Sequence, residues 1–229
     1  MNNKATNLKP KKLLVFDIDG TIIDTQNAEG ECYAQAILDV TGISLASVDW
    51  SLYSEPTSSG ILRGLLTGHA NIEAIEQAVK AVFVERLRQA QPHYPDDFLP
   101  IPGVEAFITQ LKEQGEFDVA IATGGFDTEA AFKLQCCGFH LPDFPHATSS
   151  DTPARRDIIP LAIARAGYSL EAVVYFGDAP WDLTATQALG IPMIGIGRRI
   201  EQLASQGLVH TFRDYRQPEF LLETIAGFL

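Results

Sequence analysis

The sequence predicts an α/β protein: an open parallel sheet with helices on both faces and an α-helical segment inserted early in the chain. Short, continuous apolar runs recur at residues 12–19, 118–123, 172–176 and 191–196. Runs of that length without polar alternation mark strands buried on both faces, as in parallel sheets. Stretches with apolar residues at helical spacing separate the later runs, and such alternation implies βαβ units. Residues 24–100 contain no strand-like run at all and are far too long for an ordinary βα connection.

The first run, KLLVFDID, is aliphatic until it turns acidic at Asp17 and Asp19. Helical patterns at 28–40 and 72–90 follow; in the second, Ile75, Val79, Val82, Phe83 and Arg86 fall at helical spacing. The chain then returns through PHYPDDFLPIPG, whose prolines and turn residues read as a linker. The expected division is a core of residues 1–24 and 101–229 with a helical domain of residues 25–100 inserted in it. A helix is expected over 103–114, with Val104, Phe107, Ile108 and Leu111 on one face and Gly115 as its stop. Another is expected over 155–166, with Ile158, Ile159, Ala162 and Ile163 inward and Gly167 ending it. Right-handed crossovers place all strand C-termini on one edge, where open α/β sheets bind their ligands.

Composition narrows the partners. Of the 229 residues, 46% are apolar and 20% charged, the usage of an ordinary globular protein that can fill a core. No apolar run approaches the about 18 residues of a membrane span, and the polar, basic first twelve residues lack a signal peptide's apolar region. A soluble cytoplasmic protein, monomer or homodimer, is expected. Cys32 and the adjacent Cys136 and Cys137 are expected to be reduced thiols, since neighbouring cysteines are poorly placed to bridge. A net charge of −12 argues against nucleic acid or an anionic membrane as partner. If so acidic a protein handles phosphate, positive charge has to be supplied locally.

Three segments carry chemistry. In Asp17-Ile18-Asp19-Gly20-Thr21, the period of two at a strand end puts both carboxylates on one side, and Gly20 permits a sharp turn. Adjacent carboxylates repel unless a cation or a shared proton compensates, and an all-oxygen set suits magnesium. One such carboxylate as nucleophile and a second as general acid can divide a phosphate ester displacement into two steps through an aspartyl-phosphate. Ala122-Thr123-Gly124-Gly125 offers a hydroxyl and unobstructed amides after another strand, which can hold phosphoryl oxygens or simply cap a helix. Gly177-Asp178-Ala179-Pro180-Trp181-Asp182 adds two acids at a third strand end, either completing an acidic cluster or capping the helix that Pro180 starts.

In this order, each at a strand end, the segments resemble the motifs of the haloacid dehalogenase superfamily of phosphatases: DxDGT, a hydroxyl after a strand, and GDxxxD. The resemblance implies a Rossmann-like core with a helical cap at the inserted segment. It implies that Asp17 is the nucleophile and Asp19 the general acid and base. It further implies magnesium held by Asp17, the main-chain carbonyl of Asp19 and Asp178, with Asp182 in support, and phosphoryl oxygens held by Thr123 and the Gly124 amide. Having Asp at position 19 favours phosphate ester chemistry over halide displacement. The family's third motif, a lysine, is missing from SSDTPARRDI at 149–158, so Arg155 or Arg156 must stand in for it, with Arg155 preferred.

The expected function is a magnesium-dependent phosphatase acting on a small phosphorylated metabolite. The alternatives are a sugar phosphomutase of the same superfamily or, in another class, a phosphate-accepting receiver-type signalling module. A receiver needs neither the helical insertion nor Asp19. Arg63 is a candidate for reaching the substrate's leaving group, and Asp24 for steadying the hinge into the inserted helices. The five histidines are scattered without metal-ligand spacing and carry no role.

Overall fold

The computed structural model describes residues 11–25 and 28–229; the polar stretch before residue 11, including the first ten residues assigned to the core, lies outside the described residues. Strands β1 (Lys12–Phe16), β2 (Phe117–Ala122), β3 (His146–Ala147), β4 (Val173–Gly177), β5 (Met193–Ile196) and β6 (Thr211–Phe212) form one sheet in the order β3-β2-β1-β4-β5-β6. Every pairing is parallel. The strand order reverses between β1 and β4, so the crevice over their C-terminal ends is where ligands bind in such sheets.

Alternate residues of each strand feed two apolar clusters, one on each face. Leu14, Phe16, Val119, Ile121, Val174 and Phe176 face α4 (Val104–Gln114), α5 (Asp127–Cys136) and α9 (Pro218–Phe228). Leu13, Val15, Ala120, Val173 and Tyr175 face α6 (Arg155–Arg165), α7 (Pro180–Leu189) and Leu203 of α8 (Ile200–Ser205). With both faces covered, strands without polar alternation are what a buried parallel sheet requires. On the first face Phe107 sits among Phe176 and Tyr215, with ring centroids 6.1 and 5.3 Å away.

The inserted helices are α1 (Ala28–Thr41), α2 (Ser58–Leu65) and α3 (Ile72–Ala90), all between β1 and β2. Their departing and returning connections run side by side: Ile101 N–H donates to Ile22 O at 2.8 Å and Asp24 N–H to Leu99 O at 3.1 Å. Asp97 accepts from the Ala28 amide at 2.7 Å and so ties the start of α1 to the return. Tyr33, Ile37, Phe83 and Leu87 join the same apolar cluster as Phe16 and Phe107, so the insert is packed on the core and not merely tethered to it.

Strand β1 ends at Phe16, three residues before the acidic run stops, because the amides of Ile22 and Ile23 turn back onto Ile18 O. Gly20, at φ +71°, makes that turn possible. No described helix is long and apolar enough to cross a membrane. All three cysteines are free thiols.

Phe107→Ala is expected to lower the unfolding free energy by about 3–5 kcal/mol, the usual range for emptying an aromatic site in a packed core. Denaturant unfolding checks it, and a loss under about 1 kcal/mol would show that this face is not packed as described.

Candidate active site

Asp17 follows directly on β1, with its amide donating to Phe176 O of β4 at 2.9 Å. That bond fixes the nucleus of the site to the centre of the sheet. The side chain is buried (3% exposed), and its Oδ1 lacks a hydrogen-bond donor. From β4 the chain brings Asp178, and from the first turn of α7 it brings Asp182. Asp17, Asp178 and Asp182 each offer an oxygen within 4.8 Å of the others.

Three buried carboxylates in contact need positive charge. Arg155, at the start of α6, supplies part of it: Nη1 lies 2.6 Å from Asp182 Oδ1 and 3.5 Å from Asp17 Oδ1. Asp182 also accepts from the Tyr175 hydroxyl at 3.1 Å and, through Oδ2, from the Ala179 amide at 3.2 Å. Asp182 thus holds Arg155 in place while its carboxylate also lies within the oxygen cluster that could support a metal. Burial alone would lower the Arg155 pKa, but Asp182 and Asp17 outweigh it and hold it above the ordinary value. Arg156 is exposed, so of the two arginines it is Arg155 that the fold brings in.

Burial pushes Asp17 up to about 7, with Arg155 opposing and Asp182 and Asp19 adding to the rise. Burial likewise raises Asp178 well above the carboxylate range despite Arg199, whose Nη1 is 2.9 Å from Asp178 Oδ2. Carboxylates so disfavoured as anions, one with a donorless oxygen, fit a hard divalent cation with oxygen ligands. Gly20 keeps the cradle open, because a Cβ there would overlap the Asp178 carboxylate.

Thr123 and Gly124 follow β2 and line the same cavity as Asp17. The Thr123 Oγ1 accepts from the Gly125 amide at 3.2 Å, which leaves its own hydrogen free to donate. A Cβ at Gly124 would run into the Arg155 guanidinium as it is placed, so any larger residue there would displace it. The Gly124 carbonyl accepts from Ser58 N at 2.8 Å at the start of α2, while Thr57 Oγ1 donates to Pro153 O at 2.6 Å. The inserted helices therefore close over the Thr123–Gly124 side of the site.

The cavity between insert and sheet has a volume of about 640 Å³ and is lined by Asp17, Asp19, Thr123, Gly124, Arg155 and Asp178 among others. Arg63 is not brought to it. Its Nε is engaged at 3.0 Å by both Ser59 and Glu76 within the insert. Asp24 pairs with Arg198, beside the connections into the insert.

Sequence reasoning missed a second charge cluster behind Asp19. Lys133 of α5 is fully buried, with Nζ 2.8 Å from the Asp19 carboxylate, paired with Glu29 of α1 and 3.6 Å from Glu129. Burial alone would lower the Lys133 pKa, but Asp19, Glu29 and Glu129 hold it above the ordinary value. Burial pushes Glu129 up to about 8, against Lys133 and with Glu29 and Asp19 adding to the rise. Also missed were Arg199, stacked 5.5 Å over the Trp181 ring, and Thr25, whose hydroxyl donates to Asp19 Oδ1. The one sequence signal for Lys133 was a lysine four residues after Glu129, at the spacing of an i,i+4 pair.

A parallel sheet with acids at its switch point, a hydroxyl–glycine turn and a buried arginine define an enzyme. The chain belongs to the haloacid dehalogenase-like hydrolases, whose family model matches residues 11–190. It is 27% identical over 202 residues to a phosphoglycolate phosphatase of Mesorhizobium japonicum, covering 81% of this chain and 82% of that protein. To a phosphoglycolate phosphatase of Rhodospirillum rubrum it is 25% identical over 218 residues, covering 89% and 88%. In fold it is similar to a hydrolase from Pseudomonas syringae, with a TM-score of 0.73, 20% identity, and 94% and 99% of the two chains covered. It is also similar to CbbY from Rhodobacter sphaeroides in complex with phosphate, with a TM-score of 0.70, 17% identity and 91% and 96% covered.

Arg155→Met leaves Asp17 and Asp182 without their shared cation and is expected to cost about 3–5 kcal/mol of stability in chelator. Denaturant unfolding measures it; a loss below about 1 kcal/mol would mean that the guanidinium does not balance these acids. Glu129 supplies a pH test. Its pKa of about 8 in the folded chain against 4.5 ordinarily means that the stability gained by keeping it neutral is complete below 4.5. That stability is lost as pH rises through about 8. Glu129→Gln should therefore lose less stability than wild type between pH 5 and pH 8 in thermal unfolding, where equal declines would count against the assignment.

Proposed function

We propose that this hydrolase is a magnesium-dependent phosphatase that cleaves a small phosphorylated metabolite through a phosphoryl group carried on Asp17, with residues 25–100 acting as the cap over a core of residues 11–24 and 101–229. One observation carries the reading: Asp17, a buried residue with one oxygen lacking a hydrogen-bond donor, lines the cavity together with Arg155 and the Thr123–Gly124 turn. Arg155 Nη1, 3.5 Å away, meets the charge of that oxygen without a hydrogen bond, which leaves the oxygen available to an electrophile or a metal cation.

The carboxylate of Asp17 attacks phosphorus, and the ester oxygen departs with a proton from Asp19. The Thr123 hydroxyl, the Gly124 amide and Arg155 hold the phosphoryl oxygens as charge collects on them. Asp19 then takes a proton from water as the water oxygen attacks phosphorus, which releases phosphate and restores Asp17. Asp17, the main-chain carbonyl of Asp19 and Asp178, with Asp182 in support, would hold magnesium, which would supply the positive charge that lets a phosphate dianion approach a carboxylate. Because the inserted helices cover the site, and because Asp19 is present to activate water, turnover is favoured over lasting phosphorylation of a receiver.

The relatives named phosphoglycolate phosphatase make phosphoglycolate a candidate substrate. The wall of the cavity contributed by the insert favours a different leaving group. Glu29, Glu31 and Asp49 line it together with Tyr33 and Trp50, and no lysine or arginine of the described insert does. A second anion on the substrate would find Arg199 alone, on the sheet side and already paired with Asp178. Uncharged, hydroxylated leaving groups are the better match.

Asp17→Asn is expected to abolish turnover while the fold persists, as an amide cannot carry the phosphoryl group; activity within tenfold of wild type would remove Asp17 as nucleophile. A panel of phosphate monoesters, with magnesium or with chelator, should release inorganic phosphate only with the ion. Sugar and polyol phosphates should exceed phosphoglycolate in kcat/KM, and the reverse order would show that Arg199 dominates recognition. Isomerised sugar phosphate in place of free phosphate would mark a mutase, and stoichiometric labelling without turnover a receiver.

A further inference from the structure

We propose that Lys133 is a positioning residue for Asp19, fixing which of its oxygens exchanges the proton; this rests on Asp19 being the general acid and base. Lys133 Nζ lies 2.8 Å from both Asp19 oxygens. The Thr25 hydroxyl also donates to Oδ1. Oδ1 therefore has two donors and Oδ2 one, which leaves Oδ2 with a lone pair for a proton. With the ammonium bridging both oxygens and the Thr25 hydroxyl on Oδ1, the carboxylate has one orientation.

Lys133 cannot act on the substrate itself, since it is fully buried and absent from the cavity wall that Asp19 lines. Its ammonium is held in turn by Glu29 of α1 and by Glu129 one turn earlier on α5. An ammonium has three donors, and three carboxylates surround this one. Two of those anchors, Asp19 and Glu129, belong to the core, and the third belongs to the inserted helices. The orientation of Asp19 thus depends on α1 being seated on the core. Arg155 serves Asp17 and Asp182 in the same way on the opposite side, so nucleophile and acid have separate cations.

The balance of the step is unchanged by this assignment. Asp19 gives its proton to the ester oxygen in the first half and regains one from water in the second, while Lys133 keeps all its hydrogens throughout. What Lys133 supplies is geometry, and a displacement of about 1 Å in such a group can cost about 100-fold in rate.

The test is a double-mutant cycle in single-turnover phosphorylation, using p-nitrophenyl phosphate and an alkyl phosphate that the wild-type chain hydrolyses. Lys133→Met combined with Glu129→Gln limits the unpaired charge, and circular dichroism verifies folding. The alkyl phosphate rate should fall about 10–100-fold, p-nitrophenyl phosphate should suffer less because its phenol needs little protonation, and KM should stay within about threefold. Lys133→Arg, which keeps the charge but not the fit, should recover part of the alkyl rate. In an Asp19→Asn background the Lys133 substitutions should cost less than about threefold, since the group they orient is gone.

Equal losses on both substrates that persist in the Asp19→Asn background would overturn the proposal and leave Lys133 a purely structural cation. Should the combined variant fail to fold, Lys133→Arg decides alone: a loss confined to the alkyl phosphate supports the proposal, and wild-type behaviour overturns it. Failure of the underlying reading is separate. If Asp19→Asn alone keeps the alkyl rate within tenfold of wild type, Asp19 is not the acid, whatever Lys133 does.

Discussion

The structure depends on how carboxylates can be crowded at the end of a buried sheet. Asp17, Asp19, Asp178 and Asp182 gather at the ends of β1 and β4, and Glu29 and Glu129 stand behind them. Water is largely excluded from Asp17, Asp178, Asp182 and Glu129, so each ionised acid there costs several kcal/mol unless a cation or a donor meets it. The fold answers with three cations, Arg155 and Lys133 buried and Arg199 partly exposed, each given to different acids: Arg155 to Asp17 and Asp182, Arg199 to Asp178, Lys133 to Asp19, Glu29 and Glu129. Acids still outnumber bases; burial raises Asp17, Asp178 and Glu129, and the neighbouring acids add to the rise.

The rest of the architecture places those cations. Tyr175 points from β4 to the face opposite Phe176, where its hydroxyl meets Asp182 and its ring packs beneath α6. That contact ties the sheet's second face to the orientation of Arg155. On the first face, α5 carries Glu129 and Lys133 inward, to the level at which β1 turns at Gly20. Helix α2 starts against Gly124, and α1 starts at the residue whose amide Asp97 receives. Insert and sheet thus meet the site from both sides, and the cavity between them has walls of different character. The end at the Thr123–Gly124 turn and Arg155 offers donors, whereas the end contributed by the insert offers carboxylates and aromatic rings.

Much of this was legible from residue order. The strands declared themselves because parallel strands buried on both faces read as unbroken apolar runs, and the long amphipathic helices did so by spacing. The structure runs α3 over Ile72–Ala90 and α4 over Val104–Gln114, with Gly115 at φ +69° ending the latter. Helix α5 did not show itself in this way. Two of its inward positions are Glu129 and Lys133, so the periodic signal that marks a buried helix face is broken by the very residues that matter most there. The edge strands β3 and β6 are two residues each, too short for any period to register.

The chemistry divides along the same line. Acids at strand ends are determined by sequence alone, because the chain order of DxDGT, the Thr-Gly-Gly turn and GDxxxD follows the topology that assembles them. The choice of Arg155 over Arg156 needed the helix phase: one step around α6 turns a side chain from the buried acids to solvent. Arg63 reads as a cavity residue in sequence but is taken by Ser59 and Glu76, contacts made across two helices of the insert. Lys133 lies 114 residues from Asp19 and 104 from Glu29, and no spacing rule links them. Local pattern determines which groups stand at an edge, since strand and helix periods are properties of neighbouring residues. Which charges compensate one another is decided only by tertiary structure, because electrostatic pairing in a buried site depends on distance in space and on the exclusion of water, and neither is written in the order of the chain.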